Sequence, residues 1–135
     1  MNICDSLEGI RPIGKVTCGT YHGEQVLSKK SRLKKSGFFT LSEEFWLPID
    51  RAASKNLLIK SFCYHLEDDE KIIEEDNVSD LISAFIDSFS EDTKYSTNYD
   101  GSFECISSSF RDIAIIMENN IGVTGFVCVE DSQQP

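Results

Sequence analysis

The sequence predicts an α+β fold in a single domain spanning residues 1–135, with an antiparallel or mixed sheet and two or three helices packed on it. Three observations carry that expectation. Residues 77–92 hold one apolar stripe at helical spacing. Residues 13–18 and 122–130 show the patterns of strands. No internal repeat, low-complexity tract or linker-like concentration of proline and glycine divides the chain.

Taken in order, IGKVTC (13–18) alternates apolar residues with small or polar ones and predicts a short strand. GEQVLSKKSRLKKSG (23–37) has few apolar residues, Val26, Leu27 and Leu33, and fits either a short basic helix ended by Gly37 or an ordered loop. In FFTLSEEFWLPI (38–49), Phe39, Leu41, Phe45 and Leu47 keep a period of two that Glu43 breaks. Ser42 before Glu43 and Glu44 fits a capped helix start instead; the strand is the expectation, and Pro48 limits either element. NLLIKSFCYHLED (56–68) is expected as a strand, because Leu58, Lys60, Phe62 and Tyr64 alternate with Leu57, Ile59, Ser61 and Cys63. EKIIEED (70–76) is its expected hairpin partner, with EDDE (67–70) as the turn.

The clearest element is a helix in NVSDLISAFIDSFSED (77–92). Val78, Leu81, Ile82, Phe85, Ile86 and Phe89 make one apolar stripe, Asn77 is the expected N-cap, and Asp80, Asp87 and Glu91 fall on the solvent side. Asn98 to Gly101 is a turn signal flanked by Tyr95 and by Phe103 and Cys105. Residues 110–118 fit a helix through Phe110, Ile113, Ala114 and Met117, or equally a buried strand. Val123, Phe126 and Val127 predict a final strand, and EDSQQP (130–135) a frayed polar tail.

Charge is unevenly placed. Residues 1–60 carry ten Lys/Arg against six Asp/Glu, a net +4, and residues 61–135 carry three against seventeen, a net −14. Such asymmetry steers a partner of opposite sign. The densest segment is HLEDDEKIIEED (65–76), where Lys71 is the single cation among Glu67, Asp68, Asp69, Glu70, Glu74, Glu75 and Asp76. No apolar run reaches membrane-spanning length and no secretory pattern opens the chain, so a cytoplasmic location and no membrane contact are expected. The five cysteines have no C-x-x-C spacing. They are expected as buried small hydrophobes in a reducing compartment, with at least one free thiol.

Motif chemistry is sparse. The acidic segment lacks the glycine an EF-hand loop needs at its sixth position, and no metal or cofactor is expected. Neither phosphate-binding glycine pattern occurs, nor does a G-x-S-x-G elbow. Cys18 and His22 in CGTYHG are the one candidate nucleophile–base pair, and they define a rival reading as a small Cys/His enzyme. Lys29 to Lys35, KKSRLKK, is the one segment suited to nucleic-acid phosphates. The strongly negative chain disfavours that use, and pairing with the chain's own acids or across a homodimer fits better.

What remains is either a solvated acidic face with no partner or, the expectation, a surface that binds. Glu67, Asp68, Asp69, Glu70, Glu74, Glu75 and Asp76, extended by Asp80, Asp87, Glu91 and Asp92, can imitate a phosphate backbone and attract a basic cleft, with Tyr64, Tyr95 and Tyr99 as aromatic anchors. In size, acidity, α+β pattern and lack of enzyme motifs the chain resembles bacterial toxin-immunity proteins, including those of contact-dependent growth inhibition systems. The segment FWLPIDRAASKNLLIKSF (45–62) is similar to an aromatic–Leu–Pro segment followed by a lysine-bearing amphipathic stretch in some of them. The resemblance implies a non-enzymatic, stoichiometric inhibitor of a basic partner, expected to be a cognate nuclease toxin. A phage-encoded inhibitor of a host nuclease meets the same physical description.

Overall fold

A computed structural model describes residues 3–22, 46–99, 106, 111–119 and 123–131, with the side chains of residues 21, 22, 123 and 124 excepted. The basic segment 23–37, residues 38–45, Phe103 and Cys105 of the expected turn, and residues 132–135 lie outside the described residues.

The order is α1 (Ile3–Ile10), β1 (Lys15–His22), β2 (Leu47–Ile49), α2 (Arg51–Cys63), α3 (Asp76–Asp87), β3 (Lys94–Thr97), β4 (Arg111–Glu118) and β5 (Val123–Asp131). The strands form one five-stranded antiparallel sheet in the order β1-β5-β4-β3-β2. The fold is therefore α+β, as the sequence predicts. No helix among the described residues is long and apolar enough to cross a membrane.

The sheet is buried on both faces. Val16, Tyr95, Ile115, Met117, Val127 and Val129 pack against Leu7 of α1, Leu58 and Phe62 of α2, and Val78, Ile82, Phe85 and Ile86 of α3. Successive side chains alternate across a strand, so Ala114, Ile116, Phe126 and Cys128 point the other way, into a second cluster with Trp46 and Ile106. Burial on both faces explains β4. Asp112 to Met117 are all buried, and such a strand reads as a continuous apolar run. That settles 110–118 in favour of the strand over residues 111–118. At Gly125 of β5 an added Cβ would overlap the ring of Phe89, so the close approach of that ring to the sheet requires glycine there.

Several expectations are corrected. Residues 56–63 belong to helix α2. Asp50 caps it, accepting from Ala53 N–H at 2.7 Å, and Ala52 and Ala53 favour its first turn. Its buried positions are Ser54, Leu58, Ser61, Phe62 and Cys63; the first four have helical spacing, but two of them are serines, so the stripe does not look apolar. Their hydroxyls are satisfied inside the helix, Ser54 on Asp50 O at 2.9 Å and Ser61 on Leu57 O at 2.7 Å. The expected hairpin of 56–76 reduces to one isolated bridge between Tyr64 and Lys71. The expected stripe buries Val78, Ile82, Phe85 and Ile86 within α3 and Leu81 in part, but the helix ends at Asp87, so Phe89 is buried beyond it, and the N-cap is Glu75 rather than Asn77 and makes no side-chain cap bond. Glu130 and Asp131 are not a frayed tail: both are buried in β5.

The cysteines also differ from expectation. Cys4 of α1 and Cys18 of β1 form a disulfide with their Cα atoms 5.2 Å apart. Cys63 and Cys128 are buried, as expected. The pairing removes the argument for a reducing compartment based on unpaired thiols.

Candidate functional site

The chain leaves α2 at Cys63 and closes a short loop before α3. Its backbone is held by hydrogen bonds from His65 N–H to Glu70 O (2.8 Å), Asp69 N–H to His65 O (3.0 Å) and Ile72 N–H to Cys63 O (2.7 Å). The Asp68 carboxylate accepts from Glu70 N–H at 3.0 Å. Asp69 turns the tip with φ +58°, in the left-handed region that aspartate tolerates better than most residues. With the backbone bonded inward, Glu67, Asp68, Asp69 and Glu70 stand exposed on the outside.

A buried ion pair anchors this loop. Arg11 and Asp131 bond through both arms of the guanidinium, Nη1 to Oδ1 and Nη2 to Oδ2, the second at 2.7 Å. Arg11 spends its other donors on Ser61 O (3.1 Å), Ile13 O (2.9 Å) and Tyr64 O (3.1 Å), so all five of its N–H groups are satisfied. Asp131 Oδ2 also accepts from Leu66 N–H at 2.9 Å, at the foot of the acidic loop. Burial alone would raise the Asp131 carboxyl, but the bonds from Arg11 and Leu66 outweigh it and hold the group below the usual carboxylate range. Gly14, at φ +71°, keeps the space open: a Cβ there would overlap Glu130 O, Arg11 Nη1 and Asp131 Oδ1.

The predicted acids do not form one uniform face. Glu74, Glu75 and Asp76 are exposed at the start of α3, beside the loop, where the helix dipole favours carboxylates. Lys71 pairs with Glu74 at 3.1 Å. Along α3, Asp76, Asp80 and Asp87 share the solvent stripe and span about 16 Å at 1.5 Å per residue. Glu91 and Asp92 are exposed beyond its far end. There the field is partly cancelled, because Asp87 bonds Arg51 at 2.5 Å and lies 3.7 Å from Lys55. The Arg51 bond holds Asp87 below the usual range. Among the described residues, the exposed carboxylates are densest in the loop and the first turn of α3, where Lys71 offsets Glu74.

The tyrosines separate as well. Tyr64 and Tyr99 are half-buried and line one hollow of about 100 Å³ together with Asp69. Leu57 and Ile113 supply apolar walls, and Lys60 stands at its edge. A second hollow, on the other side of the loop, is lined by Ile13, Glu67, Asp68, Glu70 and Ile72. His65 borders both; its Nδ1 accepts weakly from Glu67 N–H at 3.4 Å and lies 3.5 Å from Asp68 Oδ1. The acidic loop is thus a ridge between two hollows. Tyr95 is no surface anchor: it is 6% exposed, belongs to the core, and its buried hydroxyl has no hydrogen-bond partner among the described residues.

The Cys18–His22 arrangement is not assembled. Cys18 sulfur is committed to Cys4. Four residues along one strand separate the Cα atoms of Cys18 and His22 by about 13 Å, beyond proton-transfer reach. Arg11, His65, Leu57, Ile113 and Asp131 belong to the site or its foundation and were not singled out from sequence for that role. Comparison with family models, with curated proteins and with solved structures finds no match to this chain.

Proposed function

We propose that this protein binds a basic protein partner through the acidic loop 67–70 and the first turn of α3, and neutralises it in a stoichiometric complex. A nuclease toxin is the partner whose chemistry fits best, because its cleft is built to receive phosphates. One observation supports this most: the densest carboxylate cluster sits on a loop pinned to the core through Leu66, Asp131 and Arg11. A merely solvated acidic segment needs no such support. A loop already in its binding shape loses little conformational entropy on association, and the surrounding field accelerates encounter.

The test is charge reversal of Glu67, Asp68, Asp69 and Glu70 to lysine, after confirming the fold by circular dichroism. The partner is captured from source-cell lysate at low salt, with the product of the neighbouring open reading frame as a second bait. The variant is expected to associate at least about tenfold more slowly and to leave the partner's nuclease activity intact at equimolar ratio. Unchanged affinity and unchanged inhibition would rule the acidic loop out as the contact.

A further inference from the structure

We propose that the hollow between Tyr64, Tyr99 and Asp69 receives an arginine side chain of the basic partner. This rests on the binding role proposed above and names the chemistry of its central contact. The hollow holds about 100 Å³, below the roughly 300–1,000 Å³ of small-molecule sites, and so suits one side chain better than a nucleotide. Its apolar walls, Leu57 and Ile113, come from α2 and β4. Its two half-buried tyrosines come from the end of α2 and the end of β3. Its acid, Asp69, is the tip residue of the pinned loop.

Each feature selects the occupant. The acids of the loop repel an anion. An uncharged apolar side chain would leave Asp69 unused. Between the two cations, a lysine ammonium is strongly hydrated and loses that water in a hollow walled by Leu57, Ile113 and two phenol rings. A guanidinium is planar, weakly hydrated, stacks on aromatic faces and can still meet a carboxylate with its edge. Lys60 at the rim opposes any incoming cation, and because it is exposed its ammonium can turn to water at the cost of some residual repulsion.

The probes are an oligo-arginine and an oligo-lysine peptide of equal length, both capped, titrated into the intact protein and followed by NMR. The arginine peptide is expected to bind about fivefold tighter and to shift the ring resonances of Tyr64 and Tyr99. Tyr64→Leu and Tyr99→Leu should abolish that preference while leaving lysine-peptide binding unchanged, and Tyr64→Phe should preserve it. Asp69→Asn should weaken both peptides, and Lys60→Ala should tighten both. If both peptides bind alike and neither leucine variant changes the ratio, the arginine site is wrong although the acidic loop still binds cations. If neither peptide binds in a salt-sensitive way, the acidic-surface reading fails with it.

Discussion

Arg11 and Asp131 show how much one residue pair can govern. Their side chains are 1% and 3% exposed, so each has lost nearly all its hydration, and each recovers it only through the other and through backbone groups. Removing one partner leaves an unpaired buried charge. Asp131→Ala is therefore expected to cost about 3–5 kcal/mol, read from urea unfolding at neutral pH, and Arg11→Met with Asp131→Leu together less than either alone. The pH dependence has a definite sign. The carboxyl is held below its ordinary value in the folded state, so its stabilisation is full above the unfolded value of about 3.9. It is lost as pH falls through the lower folded value. The gap between wild type and Asp131→Ala should accordingly close in strong acid; a gap constant down to low pH would show that Asp131 acts through packing rather than charge. None of this was visible locally. The partners are 120 residues apart, one next to a proline, the other in a polar tail.

At the scale of elements, α3 and β1 were legible because each carries its own period, and β5 because its apolar residues run together, buried on both faces of the sheet. α2 was not. Two of its five buried residues are serines, and the β-rich run 57–64 masks the helical period, so tertiary packing and the Asp50 cap decide its form. The candidate site divides in the same way. The acids were readable because they are consecutive, whereas the hollow draws Tyr64, Tyr99, Leu57, Ile113 and Asp69 from separate elements that only the fold brings together. α1 depends on a covalent tie. An eight-residue helix is too short to persist alone, and the Cys4–Cys18 bond fastens it to β1 across a sequence separation of 14. Cys18→Ser, or reduction, is expected to lower stability by about 3 kcal/mol, measured as a shift of the denaturation midpoint with and without dithiothreitol. Cys63 should not report that reduction: burial, with Glu75 nearby, pushes its thiol up to about 11, so alkylation of the native protein at neutral pH should remain slow.

For the whole molecule, the net −10 charge, with −14 in residues 61–135, gives a field that reaches beyond contact range, and the proposed capture of a basic partner is governed by it. The rate constant for capturing a basic partner should fall about 10- to 100-fold between low salt and molar salt, since the screening length shrinks from about 10 Å at 0.1 M to about 3 Å at 1 M. Stopped-flow mixing across that series checks it, and a flat profile would remove electrostatic steering. The sheet order has a further consequence, in time rather than in energy. β5, the last strand to be synthesised among those described, lies between β1 and β4. During translation β1 must wait for a neighbour that emerges about 100 residues later, roughly 5–20 s at ordinary elongation rates. The same strand delivers Asp131, so the acidic loop takes its pinned shape only after β5 has slotted into place. A nascent chain halted before Val123 would display all the carboxylates of the loop without the Asp131 bond that ties Leu66 to the core.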